Sequence, residues 1–110
     1  MNRIPFTLPD DGLRKLKGLV YIDEGFLIVK VESSLFGLLD KQKETVKIEA
    51  GALEDLRIKR GPFKDRLVIR PLGVELLDAI PGNHIDEVIL KVNKWQHAKL
   101  KDLVQKFWSI

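Results

Sequence analysis

Apolar residues recur at every second position through most of this chain, and at every third or fourth only near its end. In the last stretch, Asn93–Ile110, Leu100, Leu103, Val104 and Phe107 share one helical face, while Lys99, Lys101, Asp102, Gln105 and Lys106 fall off it. That spacing predicts an amphipathic helix over residues 94–108, with Asn93 placed to cap its first turn. Upstream, alternation predicts strands. Gly18–Ile22 is the first, turned at Asp23-Glu24-Gly25. Phe26–Glu32 follows, with Leu27, Val29 and Val31 on one face and Lys30 and Glu32 on the other. Glu44–Glu49 sends Val46 and Ile48 one way and Lys47 and Glu49 the other. Leu53–Arg60 and Phe63–Arg70 flank the turn signal Gly61-Pro62. Val74–Ile80, punctuated by Pro71, Gly73, Pro81 and Gly82, reads as a short strand, and Glu87–Val92 as the last one.

Two segments read less regularly. Met1–Pro9 holds two prolines and no period, which predicts an extended lead-in, and Asp10–Lys17 reads as one short helical turn stopped by Gly18. Ser33–Lys43 fits either a strand extension around Gly37 or a loop carrying Leu35, Phe36, Leu38 and Leu39. The whole predicts one mainly-β domain over residues 1–110, with a lead-in to residue 17, strands over 18–92 and the helix over 94–108. About seven short, half-polar strands suit antiparallel pairing with one face on the core. Strands do not alternate with helices, so a doubly wound parallel sheet is not expected. Two packed antiparallel sheets or a partly open barrel are, with the helix over the open side. Its stripe should then meet Val29, Val46, Ile48 and Val88 or Leu90.

Composition narrows the class. Over 110 residues, 45 % hydrophobic and 32 % charged is the balance of a globular domain rather than a disordered chain. Cysteine is absent, which removes disulfides and thiolate metal sites and fits a cytoplasmic setting. No apolar run approaches the about 20 residues of a membrane span. The opening residues lack the apolar core of a signal peptide, so neither a transmembrane segment nor a leader is expected.

The order of elements, several antiparallel strands closed by one amphipathic C-terminal helix, resembles pleckstrin-homology-like domains, and more closely their bacterial and GRAM-like branches. The local likeness lies in Gly25-Phe26-Leu27-Ile28-Val29, in Val46-Lys47-Ile48 running on to Leu53-Glu54-Asp55-Leu56, and in the terminal helix. It spans Gly18–Ile110. The resemblance implies a seven-stranded barrel of two packed sheets. It also implies a module that binds phosphoinositides, peptides or other proteins rather than an enzyme. Lipid-binding members carry Lys and Arg around the first strand turn, whereas Asp23-Glu24-Gly25 stands here and would repel a phosphate.

Charge supplies the candidate site. The formal net charge is +3, from 19 basic and 16 acidic residues. Between residues 57 and 70 stand Arg57, Lys59, Arg60, Lys64, Arg66 and Arg70 against Asp65 alone, so the remainder of the chain is net acidic. With Leu56, Ile58, Leu67 and Ile69 inward, alternation sends Arg57, Lys59, Lys64, Arg66 and Arg70 outward. A hairpin at Gly61-Pro62 would gather them on one sheet face, within reach of an acidic partner. The same face also fits a solvated guard against edge pairing. Leu35, Phe36, Leu38 and Leu39 form a second candidate, an apolar contact loop or satellite core.

These features point to a non-catalytic module that binds protein or assembles with itself as a homo-oligomer. The alternative is a peripheral binder of anionic lipid, using the basic hairpin 57–70 with the apolar loop 35–39 as a wedge. Nucleic acid is not favoured, because Phe63 is the only aromatic interleaved with those cations. His84 and His97 lack partners at metal-ligand spacing, and the serines lack a nucleophile-elbow context, so no metal, cofactor or catalytic residue is expected. Trp95 and Trp108 read as packing residues with the indole N–H near water.

Overall fold

The computed structural model describes residues 3–8, 14–35, 39–81 and 84–110. Its strands are β1 (Ile4–Thr7), β2 (Arg14–Asp23), β3 (Phe26–Leu35), β4 (Leu39–Ile48), β5 (Leu53–Lys59), β6 (Lys64–Pro71) and β7 (Val88–Asn93). The helices are α1 (Val74–Ala79) and α2 (His97–Trp108). All the strands join one antiparallel sheet in the order β4-β3-β2-β1-β7-β6-β5. This corrects the expectation of two packed sheets. β4 and β5 are the edges, and among the described residues no ladder closes them into a barrel.

Alternation works as expected. Leu27, Val29 and Val31 on β3, Val46 and Ile48 on β4, and Leu67 and Ile69 on β6 are buried in one cluster. The same cluster takes Val88, Leu90 and Val92 from β7, and Leu53 and Leu56 from β5. Residues from both edge strands share this core, so the sheet must curl around it. α2 lies across the concave side, with Leu100, Leu103 and Phe107 buried and Val104 partly so. Leu100, Leu103 and Phe107 join the same core cluster as Val29, Val46, Ile48, Val88 and Leu90, and the helix lies most extensively against β5 and β2.

Three segments differ from the sequence reading. Ile4–Thr7 is a strand, not a lead-in. Ile4 and Phe6 are buried, while Pro5, which lacks an N–H, faces outward. The strand pairs with β2 over four residues and registers with β7 at Thr7 opposite Lys91. Arg14–Lys17 is strand rather than helical turn, because it pairs with Glu32–Leu35, and residues 10–13 lie outside the described residues. Val74–Ala79 is a helix rather than a strand. Leu76, Leu77 and Ile80 sit at helical spacing against the core, with Glu75 in the first turn.

Turns and caps complete the frame. Glu24 and Gly25 both take positive φ, 51° and 81°, which makes the β2–β3 connection a tight two-residue hairpin. Gly18 is required for another reason: a Cβ there would meet the Lys30 carbonyl oxygen and crowd the Phe6 ring, at 2.8 Å from its Cζ. The β3–β4 hairpin resolves the ambiguous Ser33–Lys43, with strand to Leu35 and from Leu39, and residues 36–38 lie outside the described residues. Asn93 does not cap α2. It ends β7, its side chain makes no capping hydrogen bond, and a 3-10 turn over Lys94–Gln96 intervenes.

Candidate functional site

The ladders of β5, β6 and β7 place the basic residues. In an antiparallel sheet, directly opposed residues share a face. Lys59 stands opposite Arg66, Arg66 opposite Lys91, and Arg57 opposite Val68. Period two adds Lys64 and Arg70. These residues therefore occupy the outer face, away from the core. Val68 lies among them at 1 % exposure, a burial that fits long basic stems lying along the sheet.

The line Lys59–Arg66–Lys91 does not stop at β7. Lys91 opposes Thr7, Thr7 opposes Lys17, Lys17 opposes Glu32, and Glu32 opposes Lys43. One residue from each strand thus stands in a single transverse row, five of them basic and one acidic. A shallow depression of about 270 Å³ opens on its β2–β4 portion, over Leu19, Lys30, Glu32, Lys43 and Thr45.

The six expected site residues divide by partner. Arg57 pairs with Asp55 at 2.8 Å and Glu87 at 3.5 Å. Arg70 pairs with Glu54 at 3.1 Å. Arg60, at the hairpin turn, lies 3.7 Å from Asp65. Among the described residues, Lys59, Lys64 and Arg66 have no ion pair, nor has Lys91. The outer-face cations without an ion pair among the described residues are therefore Lys59, Lys64, Arg66 and Lys91, the first two exposed and the last two half-buried. Lys91 comes from a strand that the hairpin reading left out.

Behind the hairpin lies a polar cluster that the sequence reading missed. Asp65 is fully buried on the core side of β6. His97 Nδ1–H donates to its Oδ2 at 2.8 Å, and Lys94 Nζ donates to Oδ1 at 3.4 Å. Burial pushes the Asp65 carboxyl up, but the hydrogen bonds from His97 and Lys94 and the charges of Lys94 and Arg60 outweigh it. They hold the group below its ordinary value. One carboxylate thereby ties the hairpin turn to the 3-10 turn and the start of α2. A signal existed: the alternation that sends Lys64 and Arg66 out sends Asp65 in, and a buried carboxylate needs cations.

The tryptophans part ways. Trp108 Nε1–H donates to the Leu56 carbonyl at 3.1 Å, which satisfies a backbone acceptor on edge strand β5. Trp95 is 77 % exposed, which corrects its expected packing role. Phe63 at the hairpin turn is 89 % exposed. Of the apolar loop, Leu35 and Leu39 are register partners at the β3–β4 hairpin, and Phe36 and Leu38 lie outside the described residues. His84 Nε2–H donates to the Pro81 carbonyl at 3.0 Å. Among the described residues no group of three or more His, Cys, Asp or Glu could hold a metal ion, and no helix is long and apolar enough to cross a membrane.

Comparison with protein-family models, with curated proteins and with solved structures finds no match to this chain.

Proposed function

We propose that this chain is a non-catalytic interaction module of the pleckstrin-homology-like kind, which captures an acidic protein surface on the outer face of β5–β6–β7. The observation that carries this reading is the direct opposition of Lys59, Arg66 and Lys91 on three adjacent strands with no acid between them. Like charges directly opposed destabilise a sheet. An anionic partner laid across the three strands turns that repulsion into attraction and steers encounter. Val68 and Ile89 on the same face add an apolar floor under the cations. The element order, seven antiparallel strands and a C-terminal helix over the concave side, supports the family reading.

A second reading, an anionic lipid surface, draws support from Phe63, exposed at the hairpin turn between Arg60 and Lys64. One experiment separates the two. Amide chemical shifts are followed while poly-L-glutamate is added at low salt, and flotation is measured with phosphatidylserine–phosphatidylcholine vesicles. Polyglutamate should shift β5, β6 and β7 amides, and the shifts should vanish in Lys59→Glu/Arg66→Glu/Lys91→Glu and fade as salt rises. Flotation with an unperturbed sheet would favour lipid. Silence in both arms would leave the face a solubility device.

A further inference from the structure

Five large exposed apolar side chains stand near the two ends of β6, apart from Trp108 and Ile110 at the end of α2. Before the strand stands Phe63, and Trp95 emerges at the same end, two residues past Asn93, the register partner of Lys64. After the strand stand Leu72 and Val74, 66 % and 67 % exposed, and Ile85 at 88 %. Ile69 opposes Val88, and Leu72 and Ile85 each lie three residues beyond that last ladder pair.

Charge divides the same way. Arg60, Lys64 and Lys94 stand at the aromatic end; Arg60 and Lys94 lie 3.7 Å and 3.4 Å from the buried Asp65, and Lys64 has no ion pair among the described residues. Glu75, Asp78 and Asp86, all exposed, surround the aliphatic end, and none has an ion pair among the described residues. An eight-residue strand is about 26 Å long, so the two ends cannot meet within one molecule.

We infer that these ends are the two halves of one interface, and that the chain associates head to tail with copies of itself. Phe63 and Trp95 of one copy dock on Leu72, Val74 and Ile85 of the next, with Lys64 facing Glu75, Asp78 and Asp86. Aromatic side chains flanked by cations are the usual anchors of protein interfaces, and aliphatic side chains rimmed by acids make their complement. The two surfaces differ, so the interface is heterologous and builds rings or open chains rather than a closed two-fold dimer. This inference goes beyond the reading of the outer face, with which it shares Lys64; that reading rests on Lys59, Arg66 and Lys91.

The test is light-scattering mass over a wide concentration range at low salt. The wild-type mass should climb above the 12.6 kDa monomer as concentration rises, and fall back in high salt. Phe63→Ser/Lys64→Glu, which spoils the aromatic end, should stay monomeric, and so should Val74→Ser/Asp78→Lys, which spoils the other. Mixed together, the two variants keep one intact interface between them and should stop at a one-to-one dimer. Trp95→Ser serves in place of the first variant should that one unfold. A wild-type mass fixed at the monomer value overturns the inference. So does a mixture that stays monomeric while the wild type associates, which would place the contact elsewhere. Flotation on phosphatidylserine vesicles that needs Phe63 and Lys64, with a monomeric mass in solution, would assign the aromatic end to lipid and overturn it too.

Discussion

Asp65 Oδ2 accepts a 2.8 Å hydrogen bond from His97 Nδ1 across 32 residues of chain, joining the start of β6 to the first residue of α2. The aspartate is fully buried, whereas its partners reach solvent: the side chains of His97, Lys94 and Arg60 are 29 %, 39 % and 64 % exposed. Removing the carboxylate charge therefore costs hydrogen bonds more than it strands buried cations. Asp65→Asn should lower stability by about 1–3 kcal/mol in denaturant unfolding. A double-mutant cycle with His97→Ala should show that the two losses do not add.

The same carboxylate gives the domain an acid limit. Its folded value lies below the ordinary 3.8, so the stability it contributes is fully present above that pH and is lost as pH falls through the folded value. Unfolding free energy should decline below pH 3.8, more steeply in the wild type than in Asp65→Asn. Equal slopes in the two proteins would show that other groups set the acid limit.

Lys91 offers a trade between stability and binding. Lys91→Glu places an acid directly opposite Arg66 and should raise stability by roughly 0.2–1 kcal/mol, read from the denaturation midpoint. The same change should weaken polyglutamate binding. A variant that is stabilised yet binds unchanged would make the row inert.

Phe107 is fully buried on α2, and Phe107→Ala should cost about 3–5 kcal/mol in equilibrium unfolding. A loss below about 1 kcal/mol would show that the helix end contributes little to the core. Trp108→Phe keeps an aromatic ring but loses the indole donor to Leu56, and should cost about 0.5–1.5 kcal/mol.

Gly18→Ala is the harshest small change available. Its methyl would run into the Lys30 carbonyl and the Phe6 ring, backbone on one side and core on the other. The loss should exceed the about 1–3 kcal/mol of ordinary overpacking, and soluble yield should fall with it. A variant with wild-type stability would show that β3 can move aside.

The sequence by itself determined what depends on neighbours within a few residues. Period-two runs gave the inward set Leu27, Val29, Val31, Val46, Ile48, Leu67 and Ile69, and the three-four spacing of Leu100, Leu103 and Phe107 gave the helix stripe. Turn chemistry at Asp23-Glu24-Gly25 and Gly61-Pro62 marked two hairpins. Short apolar segments escaped it: Leu76, Leu77 and Ile80 suit a strand or a helix until the core shows which side they meet, and Pro5 hid a strand that only its place between β2 and β7 makes. Alternation sent Lys59 and Arg66 to one side, but only the ladders put Lys91 beside them. Which cations stay free was decided by acids that folding brings near, Glu87 to Arg57 and Glu54 to Arg70. Period two aimed Asp65 inward, yet its partner His97 is a tertiary fact, because a hydrogen bond between residues 32 apart leaves no local trace in the order of the chain.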